Sequence, residues 1–232
     1  MDYKDQQKSL ALYKIEQIIE TGDQETRMVY GPVIRQFFQL FLDDLNLLNQ
    51  LYKVHKKNVL NFSTASRNVP ITYLKDSLNR KIIFDDQQFS IHEDMFVRLL
   101  ANSIEIMRDL LPLGSVVELD ETYFKPDQQT NTSSKIVITK RFIAPKNYQS
   151  YFPYAGVTYP IGEMKPNSII YFTEPLIKRV VHEGYKDDME KAFQILMKKE
   201  FIVEKGMNSI EFSASDMRKL QHEINEQKVG ER

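Results

Sequence analysis

Near Pro112 the apolar residues of this chain change their repeat, from the 3.6-residue period of a helix to the two-residue period of a strand. No other feature narrows the fold as much. Before that point, Leu10, Leu12, Ile15, Ile18 and Ile19 lie at helical spacing within residues 6–21, and Thr21-Gly22 is a stop signal. A single long helix is predicted next, from about Gln24 or Pro32 to Asn58, with the stripe Ile34, Phe37, Phe38, Phe41, Leu45, Leu48 and Tyr52. Leu40, Leu42, Leu47, Leu51 and Val54 occupy its other side, and a helix apolar on two faces is either sandwiched in a bundle or covered by a partner. The stretch 58–68 reads as a loop, Ile71–Leu78 as a short helix, and Arg80–Phe84 as extended. Ser90-Ile91-His92-Glu93 has capping-box spacing. The helix it opens is predicted to bury Phe96, Leu99, Leu100, Ser103, Ile104 and Met107 and to reach Leu111, where Pro112 stops it.

After Pro112 the segments Ser115–Leu119, Lys135–Phe142, Tyr154–Tyr159 and Ser168–Phe172 read as strands, with Leu176–Val181 as a fifth candidate. The polar run 127–134 has nothing to bury and is expected to be a mobile hairpin loop. Asp187–Glu200 reads as a helix with Met189, Phe193, Leu196 and Met197 inward. Ile210–Phe212 is predicted extended, and Ser213 or Ser215 caps a last helix to about Lys228. The fold class is therefore α+β. A helical N-terminal region, 1–111, precedes an α+β domain, 112–232, built on a small antiparallel β-sheet or partial barrel with C-terminal helices.

Composition removes several kinds of chemistry. The absence of cysteine rules out a thiol nucleophile, a disulfide framework and a thiolate metal site. His55, His92, His182 and His222 lie far apart and form no zinc spacing. The pairs Asp43-Asp44, Asp85-Asp86 and Asp187-Asp188 are sequence neighbours, whose side chains diverge on a helix. No phosphate-binding glycine loop occurs, and a formal net charge of −1 does not suit a general binder of nucleic-acid backbone. No apolar run approaches the ~20 residues that span a bilayer, and the N-terminus has no signal-peptide pattern. The chain is thus expected to be cytoplasmic and not an enzyme, with no catalytic, metal or cofactor residue, no nucleic-acid partner and no membrane insertion. What remains is protein binding. Phe37, Phe38, Phe41 and Leu45 on the two-faced helix are candidates, as are Tyr148, Tyr151 and Phe152 beside Pro145 and Pro153. Tyrosine offers large contact area at low entropic cost and is enriched at interfaces.

Four landmarks stand in order across 110–185: Leu110-Leu111-Pro112-Leu113-Gly114-Ser115-Val116-Val117, the strand Lys135–Phe142, Tyr154-Ala155-Gly156-Val157-Thr158-Tyr159-Pro160-Ile161-Gly162, and, after the strand Ile169–Phe172, Glu183-Gly184-Tyr185. This order resembles a small domain of unknown function found in Gram-positive bacteria and encoded beside type VII secretion effectors, especially LXG toxins. The resemblance implies a non-enzymatic chaperone or targeting adaptor for such a toxin. Its protein partner would be the secreted toxin or the toxin's small helical companions. An immunity protein that inhibits the toxin's catalytic domain is the alternative. Passengers of such systems usually carry a Trp-x-Gly turn, and this chain has no tryptophan. The Tyr123–Asp127 spacing is a chance match to an export signal, so the chain reads as a helper and not as cargo.

Overall fold

The computed structural model describes residues 2–120, 135–164 and 169–230. The 127–134 loop and the Tyr123–Asp127 spacing lie outside these residues. The chain divides into two compact units, Met1–Asp109 and Leu110–Arg232. Together they give an α+β fold, and among the described residues no closed barrel forms.

The first unit is not purely helical. Helices α1 (Tyr3–Glu20), α2 (Gly31–Phe41) and α3 (Leu45–Lys56) precede strands β1 (Asn61–Ser66), β2 (Val69–Asp76), β3 (Asn79–Phe84) and β4 (Gln87–His92), and α4 (Glu93–Met107) closes the unit. The strands form an antiparallel meander in the order β1-β2-β3-β4. Its turns use residues that tolerate positive φ: Arg67 and Asn68 (52° and 65°), Ser77 (52°), and Asp85 and Asp86 (43° and 58°). The Asp85-Asp86 pair is therefore a hairpin turn.

The predicted long helix is broken. A π-helical turn, Thr26–Tyr30, leads into α2, and Asp44 leaves the helical region (φ −88°, ψ 77°). The Asp44 carboxylate accepts from the Leu47 N–H (3.0 Å) and from the Ser66 hydroxyl (2.6 Å), which restarts the helix and ties it to β1. The predicted loop at 58–68 contains β1, and the predicted helix at 71–78 falls largely within β2. In β2, Ile71 and Tyr73 alternate inward, and small polar residues in β1 gave no comparable stripe. Ser90 does not cap α4, because it lies inside β4, paired with Lys81. His92 caps instead, its Nδ1 accepting from the Asp94 N–H (3.3 Å). The helix ends at Met107, four residues before the predicted stop at Leu111. Its predicted stripe, Phe96 to Met107, is buried.

In the second unit, β5 (Val116–Leu119), β6 (Lys135–Ile143), β7 (Ser150–Thr158), β8 (Ile170–Phe172) and β9 (Ile177–His182) precede α5 (Asp188–Lys198), β10 (Asn208–Ser209) and α6 (Ala214–Gly230). The sheet order is β10-β7-β6-β5-β9, with β8 also beside β7. The pairings are antiparallel except that β10 runs parallel to β7. Ile210–Phe212, predicted extended, is a 3₁₀ turn after the short β10. Ser213 starts α6 by accepting from the Asp216 N–H (3.3 Å).

Candidate functional site

The sequence landmarks of the second unit turn out to be joints. The Ser115 hydroxyl donates to the Pro112 carbonyl (2.7 Å) and accepts from the Gly184 N–H (2.9 Å). This stitches the Pro112–Ser115 turn to the Glu183-Gly184-Tyr185 segment. A Cβ on Gly184 would lie 2.2 Å from the Leu113 carbonyl oxygen, so only glycine fits. Gly156 in β7 is equally confined, since a Cβ there would lie 2.2 Å from the Val137 carbonyl oxygen of β6. The Tyr154 hydroxyl accepts from the Leu111 N–H (3.1 Å) and donates to Glu174 (2.8 Å), while its ring stacks on Phe172 at 5.4 Å. Tyr185, in contrast, is 82% exposed.

Tyr185 leads into α5, and α5 is inverted. Asp187 caps it by accepting from the Glu190 N–H (2.9 Å). Glu190, Gln194 and Lys198 follow at intervals of four, which places them on one side of the helix. That side faces inward: Gln194 and Lys198 are fully buried. Glu190 holds the Arg141 guanidinium of β6 through two bonds, Nη1 to Oε1 and Nη2 to Oε2 (2.8 Å). Gln194 closes both backbone groups of Leu110, donating to its carbonyl (3.0 Å) and accepting from its N–H (3.1 Å). The opposite side carries Met189 (80% exposed) and Leu196 (62%), and Phe193 (39%) stands at the flank between the two sides. Phe193 is set by the Arg141 guanidinium, 5.0 Å from its ring, and by Phe142 at 6.4 Å.

Met189, Phe193, Leu196 and Met197 are expected to point inward; Met189 and Leu196 point outward, Phe193 is only partly covered, and Met197 is half-buried. The polar seam explains the reversal. Buried charge is tolerated only when paired and hydrogen-bonded, and Arg141 and Leu110 present those partners on the sheet side. The π-helical turn Lys199–Glu204 then adds a residue to the helical repeat. One residue rotates the helix face by about 100°, and Phe201, Ile202 and Val203 beyond it are buried.

The seven partner-binding candidates lie elsewhere. Phe37, Phe38 and Phe41 are buried in the first unit's core, with the Phe37 ring 5.2 Å from Phe84 and 5.7 Å from Phe89. Leu45 is half-buried at the start of α3. Tyr151 and Phe152 belong to β7 and are buried, not in an exposed loop. Tyr148 is half-buried and donates to Glu223 of α6 (2.5 Å). Burial first, and then that carboxylate, push its hydroxyl up to about 12. Asp216 of α6 accepts from the Gln149 N–H (2.9 Å) and the Ser150 hydroxyl (2.6 Å). These contacts pin α6 to the sheet. The inverted face of α5 was missed because its apolar spacing is that of an ordinary core helix.

Among the described residues no group of three or more His, Asp or Glu is placed to hold a metal ion, and no helix is long and apolar enough to cross a membrane. The buried Arg80 of the first unit is structural. It donates to the Ser77 and Asn79 carbonyls (3.0 and 2.9 Å) and to His55 Nδ1 (3.1 Å), and it pairs with Glu93. Burial, and then the Arg80 charge, hold the His55 imidazole below its ordinary value.

Residues 110–193 match the model of a family described as a domain of unknown function (DUF4176). The match lies within the second unit, spans all the landmarks and ends within α5. No curated protein and no solved structure matches the chain.

Proposed function

We propose that this protein is a non-enzymatic cytoplasmic chaperone or targeting adaptor for a type VII LXG-type toxin, and that the outward face of α5 is its docking surface. One observation carries the reading. In the unit that carries the DUF4176 match, α5 turns Glu190, Gln194 and Lys198 inward and leaves Met189, Leu196 and one edge of Phe193 to solvent. Exposed apolar side chains on one face mark interaction surfaces. The landmarks across 110–185 support the choice of client through the family they resemble. The mechanism is burial: the adaptor covers apolar surface on the toxin, or on its small helical companions, until the secretion machine takes it over.

The test is co-purification with separate toxin fragments. The N-terminal helical fragment should bind, and Phe193→Asp or Met189→Asp should weaken binding about 30-fold or more, as hot-spot contacts of about 2 kcal/mol or more do. Both variants should keep the wild-type circular dichroism spectrum. Capture of the C-terminal toxic fragment alone would overturn the adaptor reading in favour of an immunity protein.

A further inference from the structure

We propose that, when no client is bound, the outward face of α5 is covered by α5 of a second copy of this chain, the two helices running antiparallel about a two-fold axis at Phe193. This rests on the reading of that face as a docking surface and names what fills it in the free protein.

The helix is complementary to itself in that orientation. About an axis at Phe193, Met189 of one copy lies opposite Leu196 and Met197 of the other, and the two Phe193 rings meet at the centre. Ala192, exposed beside them, leaves room for close approach of the backbones. The ends are also opposed in charge. Asp187 and Asp188 stand at the N-terminus of α5, and Lys199 follows its C-terminus. The antiparallel pairing brings these acids against the partner's Lys199 twice over, as an isologous interface requires. A parallel pairing would set acid against acid. Asp188 and Lys199 can exchange partners, because their present ones, Lys191 for Asp188 (2.9 Å) and Glu204 for Lys199 (3.4 Å), are surface pairs of small worth, while Asp187 keeps its cap on the Glu190 N–H.

Area sets the strength. Tyr185, Met189, Phe193 and Leu196 expose on the order of 500 Å² per copy if a fully buried aromatic covers about 150–250 Å². That gives about 1,000 Å² in total, the lower limit for a specific interface. The dimer should therefore be weak and readily exchanged for a client.

The absence of cysteine gives a clean probe. The purified full chain, without toxin, should show concentration-dependent dimers by sedimentation or light scattering from micromolar to hundreds of micromolar. Phe193→Asp should abolish them. Phe193→Cys should give a disulfide-linked dimer with oxidised glutathione, and Tyr13→Cys, exposed on α1, should not. Asp188→Lys and Lys199→Asp should each weaken the dimer, and the double variant should restore it. A chain that is monomeric throughout, a dimer that survives Phe193→Asp, or a double variant that fails to restore association would overturn the inference. Toxin binding is read in a separate assay, so a monomeric chain that still binds toxin would sink the dimer and leave the adaptor.

Discussion

Gly184→Ala tests whether the sequence landmarks are joints. The new methyl would lie 2.2 Å from the Leu113 carbonyl oxygen and 2.9 Å from the Ser115 nitrogen, both backbone atoms of one turn. Ordinary contact begins near 3.4 Å, so the two segments must part by about 1 Å. The bond from the Gly184 N–H to the Ser115 hydroxyl, 2.9 Å long, does not survive that movement. Overpacking costs about 1–3 kcal/mol and the lost bond about 0.5–1.5 kcal/mol. Stiffening of the unfolded chain by alanine returns about 0.4–1 kcal/mol, leaving a net loss of roughly 1–4 kcal/mol. With slopes of about 1–3 kcal/mol per molar urea, the midpoint of the second unit should fall by roughly 1 M. Urea unfolding followed by circular dichroism measures it. Gly206→Ala is the control: its φ of 65° is strained but no atom lies within 4 Å, so it should lose only about 1 kcal/mol. A Gly184→Ala protein within about 0.5 kcal/mol of wild type would refute the joint.

Phe37→Ala should destabilise the first unit by about 3–5 kcal/mol, and any loss of partner binding should track unfolding by circular dichroism. Glu93→Ala removes the acid beside the buried Arg80 and should lower the first unit's urea midpoint by the equivalent of roughly 2–4 kcal/mol, discounted for the acid's partial exposure. His55 is held below its ordinary value in the fold, so the unfolded chain takes up a proton that the folded one refuses. The stability it protects is therefore complete above the unfolded value of about 6.5 and is lost as pH falls from there through the lowered folded value. Urea midpoints should drop between about pH 7.5 and pH 5.5, and His55→Gln should flatten that drop. Metal analysis of the purified chain should find no stoichiometric ion, and a bound zinc would contradict the non-enzymatic reading.

The strands after Pro112 and the buried stripe of α4 were legible because each presents one clean period. β1 and β2 were not. Asn61–Ser66 is mostly small and polar, and its pairing with β2 depends on a partner seven or more residues away in most of the register, which periodicity does not see. The long helix was misread because Leu40, Leu42 and Leu47 continue the apolar spacing through Asp43-Asp44, while the break is made by a carboxylate cap whose partner includes Ser66 in another element. The face of α5 was read backwards for a related reason. Apolar periodicity gives the existence of a face and not its direction, which Arg141 and Leu110 decide from outside the helix. Direction is decided from outside the helix in α2 as well: its run of phenylalanines is strongly apolar, and its cover is the chain's own β3 and β4.

The parallel pairing of β10 with β7 has a consequence for the order of events during synthesis. β7 emerges with two edges to fill. β6 has already emerged and β8 follows soon after, but Ser150 and Tyr151 meet Asn208 and Ser209 only after α5 has been made. Until then that end of β7 is an unpaired backbone edge beside Phe152, the kind of edge that recruits other strands. The second unit is therefore finished only after Asn208 and Ser209 have emerged. A stalled or truncated chain should be sticky at Ser150–Phe152, a vulnerability belonging to the nascent protein alone.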